Sequence, residues 1–208
     1  MAGTGAMGTR PTRTGTSAPD PDPEPDPTAA PSVNDLGRLY TDVLLGSVVH
    51  DLAVLRALVG DPERVEHVDA WPDAGWESVA VEGVCSGGVR FVLRWHYLDA
   101  YPEYREEVRV HHERGSVGLT FPSPYLLNAP TVLEVTDRDE GAARVRTFRS
   151  TVEAFGEELC AFHRLVTEGR PPAAGIVEGR ADILTCQRIV RRLADRRGLP
   201  IGGEAARA

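Results

Sequence analysis

His50 is the side chain in this sequence best placed to move a proton. It sits in an almost unbroken apolar run, beside Gly46 and Ala53 rather than among solvated charges, so something must approach closely there. An unperturbed imidazole titrates at about 6.5 and can give or take a proton at neutral pH, which suits a base acting on a substrate hydroxyl. The same position also suits a histidine that simply packs at a helix interface. A second cluster, Trp95, His96, Tyr97, Tyr101, Tyr104 and Arg105, gathers rings with a polar edge in a short stretch. Such rings match sugar faces and hydroxyls, and they match a subunit interface equally well, because Tyr and Trp bury large area while keeping a polar handle. From this cluster His96, Tyr97, Tyr101, Tyr104 and Arg105 are the candidate substrate contacts.

Other residue types exclude chemistry. All 23 basic residues are arginine. Without lysine the chain cannot itself supply a Schiff base, a phosphate-loop ammonium or a lysine general acid. His111 and His112 are adjacent in a strand-like stretch, so their side chains point to opposite faces and cannot share one ion; no metal site is expected. Cys85, Cys160 and Cys186 are few, odd in number and widely spaced, as reduced structural thiols would be.

The elements that must position these residues can be read from periodicity. The run from Asn34 to Val59 is too long for a strand and predicts one helix, capped by Asn34 or Asp35 and ended by Gly60-Asp61-Pro62. Leu44, Val48, Leu52, Leu55 and Val59 form one apolar face, with Leu39, Val43, Gly46, Ala53 and Ala57 roughly opposite, so both sides should be covered. Then the period changes to two. Ser78 to Cys85 and Val89 to Tyr97 read as a hairpin joined by Ser86-Gly87-Gly88, and strands follow at Arg105 to Glu113, Val117 to Phe121, Thr131 to Thr136 and Ala143 to Phe148. No helix intervenes between them, which predicts a mostly antiparallel sheet. Ser150-Thr151-Val152-Glu153 has the form of a capping box, opening a helix that ends at Gly169, and a last helix from about Glu178 ends at Gly198-Leu199-Pro200. Helix, strands, then helices make an α+β domain: a large, mostly antiparallel open sheet with helices on one face and no Rossmann domain.

Residues 1–32 carry almost no large apolar side chain and alternate proline with acid from Pro19 to Pro27, so they should form a disordered, extended tail or linker. Gly3-Thr4-Gly5-Ala6-Met7-Gly8 spells the dinucleotide fingerprint there, but no buried strand precedes it and no helix follows, so no cofactor-binding residues are assigned. The folded domain should span 33–203, with a flexible end at 204–208. A net charge of −8 repels nucleic acid and anionic lipid, leaving a small neutral or cationic partner. The arginines at 188, 191, 192, 196 and 197 read as a solvated face near a helix C-terminus. No run approaches the roughly 18 apolar residues of a membrane span and no signal-peptide core opens the chain, so a cytoplasmic location is expected.

Gly46-Ser47-Val48-Val49-His50-Asp51-Leu52, with Leu55, Leu58 and the helix-ending Gly60, resembles the opening of the C-terminal domain of Gfo/Idh/MocA oxidoreductases. The likeness continues through the strands, Glu153-Ala154-Phe155 to Phe162, Gly169-Arg170-Pro171, and Glu178 to Pro200, over about residues 34–203. It implies an open sheet flanked by helices, a sugar-like or cyclitol-like alcohol as substrate, NAD or NADP as cofactor, and His50 at the family's catalytic histidine. It also implies a homodimer through the open sheet, which the alternation would place near Trp95, Tyr97 and Val110. This chain departs from the family where an aspartate often orients the histidine, since Gly46 stands there, and it lacks the catalytic lysine with its segment. The dinucleotide must then come from a separate subunit or domain; the alternative is a non-catalytic dimerisation or binding module.

Overall fold

The computed structural model describes residues 33–73 and 76–207; the expected tail over 1–32, with its Gly3–Gly8 motif, lies outside the described residues. The first helical run is continuous from Val33 to Val59 but changes its turn twice: α1 (Val33–Arg38), a π-helical segment (Leu39–Val48) and α2 (Val49–Val59). A strict α-helical period puts Leu39 and Val43 opposite Leu44 and Val48. The wider π turn, with its i→i+5 bonding, brings residues four and five apart onto one face, so all four are buried together. The expectation that both sides of this helix are covered fails for that reason. Gly46, His50 and Ala57 are exposed on the other side.

Among the described residues all strand pairing is antiparallel, as the lack of helices between the strands predicts. β1 (Pro62–Asp73), β2 (Trp76–Cys85) and β3 (Arg90–Trp95) form a three-stranded sheet in that order. β4 (Glu106–His112), β5 (Gly115–Phe121), β6 (Thr131–Asp139) and β7 (Ala142–Ser150) form a four-stranded meander. The α+β class holds, and among the described residues no parallel βαβ unit occurs. The sheet is in two hydrogen-bonded pieces, because residues 96–105 leave the ladder between Trp95 and Glu106. β1 was not legible in the sequence: register shifts at Pro62/Arg64 and Val65/His67 break the period of two that would have marked it.

The core lies between the first sheet and the helices. Leu39, Val43, Leu44, Val48 and Leu52 pack with Val68, Val79, Val81 and Phe91 and with Ile189 and Leu193 of α4 (Ile176–Arg197). Gly83 permits this packing, since a Cβ there would sit 2.3 Å from the Arg64 carbonyl oxygen and 2.6 Å from the Phe91 ring. α2 and α4 are also joined by a buried ion pair, Arg56 to Asp182 at 2.5 Å, with Arg56 donating a second bond to the Glu178 carbonyl at 3.1 Å.

The arginines of α4 are not merely a solvated face. Arg188, Arg192, Arg196 and Arg197 donate to the carbonyls of Pro62, Glu66, Val68 and Ala70 along the free edge of β1. Four helical residues advance about 6 Å and two strand residues about 6.6 Å, so Arg192 and Arg196 reach the alternate carbonyls of Glu66 and Val68 on the strand lying alongside. The unpaired edge of β1 is thereby closed within the chain. The last residues, expected to be flexible, form a 3₁₀ turn (Gly203–Arg207) held by Tyr40 Oη donating to Glu204 at 2.6 Å, with Ala205 buried.

α3 (Ala154–Glu168) starts later than the capping box predicts. Glu153 turns its carboxylate to the Asn128 amide at 2.6 Å instead of capping the helix. Gly169 and Gly198 close α3 and α4 in the left-handed region, at φ 67° and 66°, where the sequence placed both stops.

Candidate functional site

The first turn of α2 carries His50 and Asp51 to the place where the two sheets part. His50 is exposed and makes no hydrogen bond or ion pair with another described residue. Asp51, next to it, is half-buried, and burial together with the charge of Glu106 pushes its carboxyl up to about 6. Glu106 opens β4 and accepts a hydrogen bond from the Tyr104 hydroxyl. Burial, that bond to Glu106, and the charges of Glu106, Asp51 and Tyr125 raise the Tyr104 phenol above its usual range. Asp51, Tyr104, Glu106 and Tyr125 therefore share one electrostatic neighbourhood, and His50 precedes Asp51 in the first turn of α2.

The end of β3 forms an aromatic shelf on the same helical run. Trp95 donates its indole N–H to Ser47 Oγ at 2.8 Å, and its ring stacks on Tyr97 with centroids 6.4 Å apart and planes at 27°. The neighbouring pair, Trp71 and His96, is tilted at 55° with centroids 5.6 Å apart. Trp95 thus faces the helices and packs against the core, so it does not lie on an open sheet face as the dimer expectation requires.

The sequence-derived candidates divide into two groups. Tyr104 joins Asp51 and Glu106, Tyr97 stands on the Trp95 shelf, and His50 stays exposed at the start of α2. Tyr101 and Arg105 turn elsewhere: Tyr101 donates to Glu103 at 3.3 Å, and Arg105 pairs with Glu107 at 2.9 Å. Successive residues of an extended chain point to opposite sides, so Tyr104 and Glu106 share one side while Arg105 and Glu107 share the other. His96 is held by Trp71 rather than by the cluster.

Asp51, Glu106 and Tyr125 were missed. The Tyr-x-Glu spacing of Tyr104 and Glu106 was a usable signal, because it is an i, i+2 pair in an extended segment. Nothing local marked Asp51, whose partner is 55 residues away along the chain. The buried thiols behave as the sequence implied: burial raises Cys85 and pushes Cys186 up to about 12, so neither serves as a nucleophile near neutral pH. A shallow depression on α4, lined by Ile176, Arg180, Ile183, Gln187 and Glu204, contains none of the residues of the Asp51 cluster.

What this arrangement can do is bind and orient hydroxyls. A half-buried carboxyl that titrates close to neutrality can donate or accept, a second carboxylate accepts, and a phenol and an exposed imidazole complete the set. No protein-family model and no curated protein matches the chain. Solved structures do. A probable oxidoreductase, yhhX, aligns with a TM-score of 0.55 and 18% identity over 70% of this chain and 47% of its own. The oxidoreductase-class protein yvaA of Bacillus subtilis aligns with a TM-score of 0.56 and 13% identity over 82% of this chain and 53% of its own. Over the aligned regions the chain has the fold of these two structures. At these identities the likeness concerns the fold alone, and the chain spans about half the length of the structures it matches.

Proposed function

We propose that this chain is the substrate-binding and oligomerisation domain of a NAD(P)-dependent oxidoreductase acting on a sugar-like or cyclitol-like alcohol, with the dinucleotide-binding half supplied by another chain or by a longer polypeptide. The observation that carries the reading is Asp51. Raising a carboxyl from its ordinary value of 3.8 to about 6 costs the fold about 3 kcal/mol at neutral pH, and the raised group lies beside Glu106, Tyr104 and His50. A fold that tolerates this cost at one spot gains there a proton donor and acceptor tuned near neutrality.

In this reading Asp51, Tyr104 and Glu106 hold adjacent hydroxyls, the Trp95–Tyr97 shelf covers the apolar face of the ring, and His50 takes the proton of the reacting hydroxyl. The described residues contain no strand–turn–helix phosphate cradle and do not fit a dinucleotide by themselves. No hydride-transfer step is therefore assigned to them.

Calorimetry with a panel of cyclitols and aldohexoses tests the site. The expected result is binding to at least one class, weakened about tenfold or more by Asp51→Asn and by Tyr104→Phe, with no tight binding of NADH or NADPH. Failure of every polyol to bind, or affinities indifferent to both substitutions, removes the reading.

A second reading, a non-catalytic binding or dimerisation module, is favoured by the complete absence of lysine and by Gly46 at the place of the family's orienting aspartate. Addition of a dinucleotide-binding partner separates the two. Alcohol-dependent NAD(P) reduction that falls in His50→Ala supports the enzyme, and polyol binding without turnover supports the module.

A further inference from the structure

The loop between β5 and β6 presents large apolar side chains that the core does not use. Tyr125 is 85% exposed, Leu126 58% and Leu127 79%, and none of residues 122–130 is buried or belongs to the core. The loop is nevertheless held in one shape. Pro122 and Pro124 fix their own φ, and the Leu126 amide donates to the Ser123 carbonyl at 3.0 Å, closing a turn with Pro124 and Tyr125 at its centre. Asn128 stands in the left-handed region at φ 58°, and its amide donates to Glu153 at 2.6 Å, which ties the loop to the start of α3. A surface ordered in advance by its own backbone loses little entropy when a ligand meets it.

The strand register sets this loop against the hydroxyl-binding cluster. Glu106, the first residue of β4, is the cross-strand partner of Phe121, the last residue of β5. The chain before Glu106 and the chain after Phe121 therefore leave the ladder at the same end. There the Tyr104 and Tyr125 phenols are close enough to interact electrostatically, and Tyr104 donates to Glu106. A group of carboxylates and phenols is thus followed along the chain by an apolar tip, Leu126 and Leu127. Adjacent exposed apolar side chains beside a polar site mark a place that is covered on binding. A bare sugar or cyclitol offers no apolar surface beyond its ring, and the Trp95–Tyr97 shelf already accounts for the ring.

We propose that the 122–130 loop is a specificity subsite of the alcohol site: Asp51, Tyr104 and Glu106 hold the hydroxyls of the ligand, and Tyr125, Leu126 and Leu127 cover an apolar substituent attached to it. The ligand class is accordingly an amphiphilic polyol, an O-alkyl or O-aryl glycoside in place of a free sugar. Tyr125 stands at the join, since its ring is apolar and its hydroxyl polar. The inference rests on the alcohol-binding reading of the Asp51 cluster and adds the part of the ligand that those residues do not hold.

Calorimetry of the full chain with the methyl and butyl glycosides of glucose, galactose and mannose tests it. For at least one sugar the affinity should rise about tenfold or more from methyl to butyl, since each methylene removed from water gives about a threefold gain. The double variant Leu126→Ser/Leu127→Ser should reduce that rise to less than about twofold and leave the affinity for the methyl glycoside as it is. It should also keep the wild-type fold, because both side chains are exposed and outside the core. Asp51→Asn should weaken the methyl and butyl glycosides by the same factor, which separates the two ends of the ligand. Equal affinities for the two glycosides, or a chain-length gain that survives the two serines, overturn the inference and leave the alcohol site standing. Binding of free sugars but of neither glycoside overturns it as well. If no polyol binds, free or alkylated, the alcohol site falls and the subsite falls with it.

Discussion

The two sheets of this molecule carry similar alternating patterns and have opposite fates. In the first, Val79 and Val81 of β2 and Phe91 of β3 are buried under α2, α4 and the π-helical turn, and the free edge of β1 is closed by arginines of α4. In the second, every residue of β7 is exposed, and among the described non-glycine residues of β4, β5 and β6 none is buried. A strand pattern specifies a face to be covered and not what covers it. Covering the first sheet takes elements distant in sequence, from 33–59 and 176–197. The helix nearest in sequence to the second sheet, α3, leaves Phe155, Leu159, Phe162 and Val166 in solvent.

The largest expected effect lies in the first region. Arg56→Ala leaves Asp182, 4% exposed, without its partner and should cost about 3–5 kcal/mol in chemical denaturation, since an uncompensated buried charge is the expensive case. A loss under about 1 kcal/mol would mean that the pair is hydrated and that this region is not the stable one.

Asp51 tests the junction between the two regions. Its folded value of about 6 lies above the ordinary 3.8, so the neutral carboxyl is favoured in the folded chain. The associated stability is complete below about pH 4 and is lost as pH rises through 6, an amount of about 3 kcal/mol. Asp51→Asn should match the wild type at pH 4 and exceed it at pH 7 by roughly 6–12 °C in thermal melts. A difference that does not change with pH would mean that the Asp51 carboxyl is not raised by burial and the Glu106 charge.

The arginine ladder should count for less. Arg192→Ala and Arg196→Ala should each cost about 1 kcal/mol, because both groups are partly exposed, and together they should raise aggregation by freeing the β1 edge. Static light scattering during thermal ramps reads the second effect, and unchanged scattering would show that the edge is protected otherwise. The smallest expected effect is in α3. Leu159→Ser should change the stability of the isolated monomer, measured in dilute solution, by less than about 0.5 kcal/mol. A larger loss would place α3 on the core and erase the contrast between the two sheets.

The legible parts of the fold were those with local punctuation. The two-period of Val89 to Tyr97 named the strand, and Gly169 and Gly198 named the helix ends, because only a left-handed residue terminates those helices in this way. β1 was hidden by its bulges, and the single long helix concealed a π segment, because burial there follows a spacing of four and five. At the site, His50 and Tyr104 were legible as residue types, whereas Asp51 was not. Its carboxyl is ordinary until the fold removes water from it and sets Glu106 opposite.

By itself, then, the sequence determined the class of the domain, the antiparallel pairing, the stops of α3 and α4 and the absence of lysine chemistry, because each follows from residue type, period or an irreplaceable backbone conformation. Only the tertiary structure decided which apolar faces are covered, that four arginines of α4 follow the edge of β1, and that Asp51 titrates near neutrality. Those outcomes depend on distances between residues far apart in the chain, which no local pattern encodes.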